Sequence, residues 1–360
     1  MEFEPNQFNR LSIRENGRRT SIKELLLAQV GKLKPDIHDF AESSEALVQR
    51  LEPEPVVLMQ DGVKERISDG QIMIIAWPHI LATDVPLVYG TAGLNQRGSE
   101  RVTRGVVSQN PKPLFPPGSF GVWFKWDDIG PNLKNELQEN RFAARGNFWL
   151  NWVLSGGMFV SGETKSKRNS EMVGEAGDHL SQGGNVVIWP SGPDMIGPWH
   201  SGAARILLQA ISKGQQPDVV YAHSSTFAGL VLHGLFAKAE APAVLTYTKG
   251  PTTAEVLELY DRARMPLQIP NAALGFERFS KKVTPLLHWY LQEKFFDQSD
   301  MVLQQVEPVY RQRPDIYQRM KSFYDKFRPD CDSLDMALFK IGADQENRAI
   351  KTDLLQMVGK

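Results

Sequence analysis

The 360-residue chain has a single cysteine, Cys331, so no internal disulfide can staple it and a hydrophobic core must carry the fold. A lone cysteine in a Pro329-Asp330-Cys331 turn suits a reducing compartment and is read as a small turn residue, not a nucleophile. No run of about twenty apolar residues occurs, which excludes a transmembrane helix and leaves at most peripheral membrane contact. The amino-terminal MEFEPNQFNRLSIREN is too charged for a signal peptide, so the expected location is the cytoplasm, or an organelle stroma after loss of a transit peptide. With 41 basic and 42 acidic residues, no basic excess exists to bind nucleic acid by bulk electrostatics. Neither H-E-x-x-H nor C-x2-C spacing is present, so no metal site is expected. A Walker loop, a dinucleotide fingerprint and a G-x-S-x-G elbow are absent as well.

What is present is a 41% hydrophobic composition, enough for an ample core. Residues 1–55 read as a small helical amino-terminal unit. Apolar residues recur at helical spacing over Ser21 to Val30 and Ile37 to Leu51, with Thr20 or Ser21 able to cap the first and Pro53 and Pro55 closing the second. Residues 56–360 read as an α/β domain, a mostly parallel sheet flanked by helices, with a helical carboxy-terminal part. Its predicted strands include Val56 to Met59, Ile72 to Ile75, Asn185 to Trp189 and Val219 to Ala222. Its predicted helices cover the stretch up to Leu180, Ser201 to Ile211, Ala254 to Arg264, Pro285 to Phe296, Gln312 to Phe327 and Asn347 to Val358. The Gly-, Asn-, Arg- and Pro-rich stretch from Gly90 to Ser119 reads as irregular loop. The cluster around Leu286, Trp289, Phe295 and Phe296 reads as a buried helix face, because charged residues interleave it.

Two strand-ending turns carry the candidate chemistry. In IMIIAWPHILATDVPL, the Trp-Pro pair ends a buried strand just where His79 appears, and Asp84 follows at H-x4-D spacing before a segment whose Pro86 suits a first helical turn. A carboxylate accepting from one imidazole nitrogen fixes the tautomer and leaves the other as a base; the plainer alternative is a turn histidine beside a helix-capping aspartate. In GGNVVIWPSGPDMIGPWHSG, a Gly-bounded strand ends in Trp189-Pro190-Ser191-Gly192.

This pair of motifs resembles the glycerolipid acyltransferase superfamily, closest to the soluble plastid-type glycerol-3-phosphate acyltransferases, in which the third block reads P-S-G. Gly156 to Gly162, GGMFVSG, stands where that family has G-x-x-F-(I/V)-x-R. The overlap runs from about residue 60 to about 225. The chain departs from the family at two phosphate-gripping places, with Gly162 in place of the arginine and Pro193-Asp194-Met195 after the P-S-G. Lys165, Lys167 and Arg168 lie just beyond the second block and can supply the missing charge; the alternative is a solvated loop. Asp194 would repel a phosphate, which tilts the expectation toward a neutral or amine acceptor.

The resemblance implies an acyltransferase in which His79 takes a proton from a hydroxyl or amine as it attacks a thioester carbonyl, while Asp84 orients the ring. Ser191 and Gly192, with Lys165, Lys167 and Arg168, are the candidate substrate-binding residues. The oxyanion donors would be backbone N–H groups at the P-S-G turn or beside His79. Trp123, Phe124, Trp149 and Trp152 are candidates for an acyl-chain pocket, core packing being the alternative. No cofactor is expected; acyl carrier protein or coenzyme A thioester would be co-substrate. An acidic carrier protein would dock on a basic patch, for which Arg97, Arg101 and Arg104 are candidates. The rival functions are a thioester hydrolase and a non-catalytic lipid-binding member of the same fold.

Overall fold

The apolar runs become a mixed, mostly parallel sheet flanked by helices. The structure is a computed structural model and describes residues 12–15, 18–21, 48, 53–69, 71–78, 84–92, 103–106, 165–191, 198–225, 241–265, 267, 273–330 and 333–357. The elements, in chain order, begin with strands β1 (Ser12–Glu15) and β2 (Arg18–Ser21), β3 (Val56–Met59), helix α1 (Val63–Asp69), β4 (Ile72–Trp77), α2 (Asp84–Thr91) and β5 (Thr103–Val106). They continue with α3 (Lys165–Ser181), β6 (Asn185–Ile188), α4 (Gly202–Ser212), β7 (Asp218–Ser224), β8 (Val244–Lys249) and α5 (Thr253–Arg262). The carboxy-terminal helices are α6 (Ala273–Phe296), α7 (Ser299–Val306), α8 (Pro314–Phe327) and α9 (Leu334–Met357).

Among the described residues, β1 and β2 form an antiparallel pair and the other six strands one sheet, ordered β3-β8-β7-β4-β6-β5. Every adjacent pair in it is parallel except β7 and β8. β4 lies inside the sheet with all six residues buried, which is why its sequence is a continuous apolar run instead of an alternating one. The carboxyl ends of β4, β5, β6 and β7 therefore share one edge. From β4 the chain moves toward β5 on one side, whereas from β6 it crosses to β7 on the other, so the edge beside β4 and β6 is a topological switch point.

The register separates the two faces. Trp77 pairs with His223, so both share a face with Tyr221, whose hydroxyl donates to the Leu291 carbonyl of α6 at 2.9 Å. On the opposite face Tyr247, paired with Ala222, donates to the Val88 carbonyl of α2 at 3.1 Å and bonds Thr91 Oγ1 at 2.7 Å. Helix α6 thus covers one face and α2 the other. α3 and α4 run side by side on the α6 face, tied by Gln209 donating to Asp178 at 2.7 Å and by the Lys213–Asp178 ion pair at 2.6 Å. The carboxyl end of α3 is held at the opposite sheet edge, where Gln71 Nε2 donates to the Leu180 carbonyl, and Asn185 Oδ1 accepts from the Ile72 N–H at 3.0 Å. α5 begins with a reciprocal cap between Thr252 and Glu255.

The structure corrects several expectations. The Gly90 to Ser119 stretch is not wholly loop: Thr103–Val106 forms the edge strand β5, too short and too mixed in polarity to show as an apolar run. Lys165, Lys167 and Arg168 lie in the first turn of α3, not in a loop before it. α6 begins at Ala273 and passes through Pro285, and α9 begins at Leu334, so both are longer than expected. Thr20 and Ser21 belong to β2, and the helices expected over Ser21 to Val30 and Ile37 to Leu51 fall almost wholly outside the described residues. Strand β8, whose alternating Thr246 and Thr248 are buried, and helices α1 and α7 add to the elements expected from sequence. The aromatic cluster is a buried helix face as expected: Leu286, Leu287, Phe295 and Phe296 are all buried.

Candidate active site

The two motif-bearing turns leave neighbouring strands at the same edge. β4 and β6 are parallel partners, in register from Met73 and Val186 to Ile75 and Ile188. One strand leads through Trp77 and Pro78 to His79, the other through Trp189 and Pro190 to Ser191. His79 lies outside the described residues, as do Gly192, Trp123, Phe124, Trp149, Trp152, Arg97 and Arg101. Arg104 is in the edge strand β5.

Asp84 is the first residue of α2 and is 1% exposed. Its sequence context suggests a cap; it stands one position further in, where the positive end of the helix dipole favours a carboxylate. Its helix has no other acid in the first turn. Ser191 is fully buried, an enclosure at odds with the exposure a serine nucleophile needs, and it follows a carbonyl, that of Pro190, which accepts from the His200 N–H at 2.8 Å. That bond closes the loop after β6 and brings the start of α4 beside the turn.

Three helices, α2, α3 and α4, begin at this edge. Their amino ends carry unsatisfied N–H groups and the positive end of the dipole, a setting suited to anionic groups. α3 has no acid in its first turn, and its three cations oppose its own dipole there.

A buried polar row on the neighbouring strand escapes sequence reasoning. His223 Nδ1 is 3.0 Å from Tyr324 Oη and Nε2 is 3.2 Å from Thr248 Oγ1. Its ring stacks on Phe295 at 4.0 Å between centroids and 23° between planes. Burial pushes its pKa down to about 3, so it is neutral and both nitrogens are engaged; it is no base for the edge. The signal that could have found it is its place at the end of an apolar strand, VVYAHS, the same context as His79. His288 of α6 is likewise pushed down to about 4 by burial and then by nearby His200. Among the described residues no cluster of three or more His, Cys, Asp or Glu side chains could hold a metal ion, and no helix is long and apolar enough to cross a membrane.

Fold and edge define an open α/β sheet with polar turns at the carboxyl ends of two adjacent central strands. No protein-family model matches the chain, and no curated protein matches it. Among solved structures, the 1-acyl-sn-glycerophosphate (LPA) acyltransferase PlsC from Thermotoga maritima is similar at 11% identity and a TM-score of 0.35, over 73% of this chain and 85% of that one. A likeness that distant carries no argument about the chemistry of the edge, which rests on the chain's own residues.

Proposed function

We propose that the protein is an acyltransferase that moves a fatty acyl group from a thioester, of coenzyme A or acyl carrier protein, to a hydroxyl or amine acceptor. His79 removes the proton of the attacking group and Asp84 orients the imidazole and stabilises its charged form. The oxyanion is met by backbone N–H groups at this edge, and no acyl-enzyme is needed. One observation carries the reading: the strands leading into H-x4-D and into W-P-S-G are adjacent and parallel, with Asp84 buried at the head of the helix that comes after the first. The strands that precede two motifs about a hundred residues apart in sequence are thereby neighbours, as one site would require.

The burial of Ser191 favours transfer through a base over a serine-dependent thioester hydrolase. The three cations in the first turn of α3 favour a phosphate on one of the substrates, in the acceptor or in coenzyme A itself. The test is to incubate the protein with acyl-coenzyme A or acyl carrier protein thioesters and a panel of acceptors, and to identify the acylated product by mass spectrometry. An acylated acceptor from wild type and none from His79→Ala is the expected result. Release of free fatty acid without any acceptor would replace this reading with a hydrolase.

A further inference from the structure

Trp77 ends β4 two residues before His79, and its indole is wholly buried. Among the described residues, six aromatic rings surround it. Trp199, from the segment entering α4, lies 6.5 Å away between centroids; Phe295 and Phe296 of α6 lie at 5.7 and 5.2 Å. Phe323, Tyr324 and Phe327 of α8 lie at 4.8, 6.1 and 5.7 Å. Tyr324 is fastened in turn by His223, the register partner of Trp77 on the next strand. The cage is therefore fastened to the strand beside the indole.

Hydrogen bonding does not explain the choice of tryptophan here. Among the described residues Trp77 Nε1 has no hydrogen-bond partner, and a buried donor left without one is a cost that phenylalanine would avoid. What the indole adds is a large rigid plate that six rings can grip from several directions. At the other end of the intervening residues, Asp84 is buried at the start of α2. The chain carrying His79 is thus held at both ends, by Trp77 on one side and Asp84 on the other.

We propose that Trp77 is a positioning residue for His79, and that the Tyr324–His223 hydrogen bond, by locking α8 against β7, keeps its cage closed. The inference rests on the reading of His79 as the base of acyl transfer. General-base catalysis is sensitive to placement, since a displacement of about 1 Å can lower a rate by about a hundredfold. A loosened cage should therefore lower kcat and leave substrate binding alone.

The experiment compares steady-state kinetics and thermal midpoints for Trp77→Phe, Tyr324→Phe, Tyr260→Phe and His79→Ala, using an acyl-coenzyme A thioester with glycerol 3-phosphate. Tyr260→Phe is the control: it too removes a buried hydrogen bond, to the Val283 carbonyl at 2.7 Å, but from α5, which starts at the opposite edge of the sheet. Expected is a fall in kcat of about tenfold or more for Trp77→Phe, and a smaller fall for Tyr324→Phe, with KM within about twofold throughout. Tyr260→Phe should keep its kcat although its midpoint drops. If kcat in the Trp77 and Tyr324 variants equals that of the Tyr260 control, the positioning role is overturned while the acyl-transfer reading stands. If His79→Ala keeps its activity, the base assignment itself fails and takes the positioning role with it.

Discussion

Val173 of α3 lies against the first residue of α4: a Cβ on Gly202 would sit 3.6 Å from Val173 Cγ2. This contact sets the two side-by-side helices in register and leaves the first eight residues of α3 beyond the start of α4. At 1.5 Å per residue that overhang is about 12 Å.

The overhang bears on the acceptor. Lys165→Ala/Lys167→Ala should raise KM for glycerol 3-phosphate by about tenfold or more while leaving KM for a phosphate-free alcohol within about twofold. The initial rates of both acceptors, measured side by side, check it. Equal effects on both would return these lysines to a solvent-facing role, and the repulsion expected from Asp194 would then decide for an uncharged acceptor.

At His79, replacement by alanine should reduce kcat by ~10²–10⁴-fold, the usual worth of a positioned base, with the thermal midpoint unchanged. Asp84→Asn should cost less activity, since an amide still holds the ring but does not stabilise its charge. It should also lower the midpoint slightly, because a carboxylate at a helix amino end is worth about 0.3–1 kcal/mol. An Asp84→Asn protein with wild-type kcat would reduce this residue to a helix-end charge.

Acid should destabilise the fold through its buried histidines. His223 and His288 have folded pKa values of about 3 and about 4 against an ordinary 6.5, so the unfolded chain takes up protons that the native state refuses. Their contribution is fully present above pH 6.5 and is lost as pH falls from there toward 3 to 4. Urea midpoints measured between about pH 7 and pH 4 should decline, and His223→Gln should flatten the decline even if it lowers the midpoint at neutral pH.

Gly250 comes after β8 where the backbone passes close to β7. An added Cβ would meet Val219 Cγ1 at 2.6 Å, its Cβ at 2.8 Å and its carbonyl oxygen at 3.0 Å, and the carbonyl is fixed by the Gly250 N–H at 2.9 Å. Gly250→Ala should therefore destabilise by about 1–3 kcal/mol, as overpacking does. Chemical denaturation measures it. Gly342→Ala, inside α9 with nothing within 4 Å of the added carbon, is the contrasting case and should stabilise by about 0.5–1 kcal/mol, the cost of glycine in a helix interior.

Much of the sheet is legible in the chain because buried parallel strands are written as unbroken apolar runs, as in Ile72–Trp77 and Val219 to Ala222. β8 is not, because its inward Thr246 and Thr248 break that run, and Thr248 is buried to serve His223. β5 is hidden by being a four-residue edge. The H-x4-D and W-P-S-G motifs can be found from turn chemistry alone, and Asp84 at the head of α2 agrees with that reading. The cage around Trp77 cannot: its rings come from positions 199, 295 to 296 and 323 to 327, and no local pattern links such distant stretches. His79 and the aromatic residues at 123, 124, 149 and 152 lie outside the described residues.

The distance in sequence between Trp77 and its cage has a consequence for synthesis. A ribosome making this chain delivers β4 early, yet the rings that cover Trp77 from α8 arrive only when residue 327 has been added. Until then the rings of Trp77, Phe295 and Phe296 lack their cover from α8, the kind of exposure that recruits chaperones and invites aggregation of nascent chains. The aromatic cluster around the end of β4 is thus closed only after every described strand of the sheet has been made.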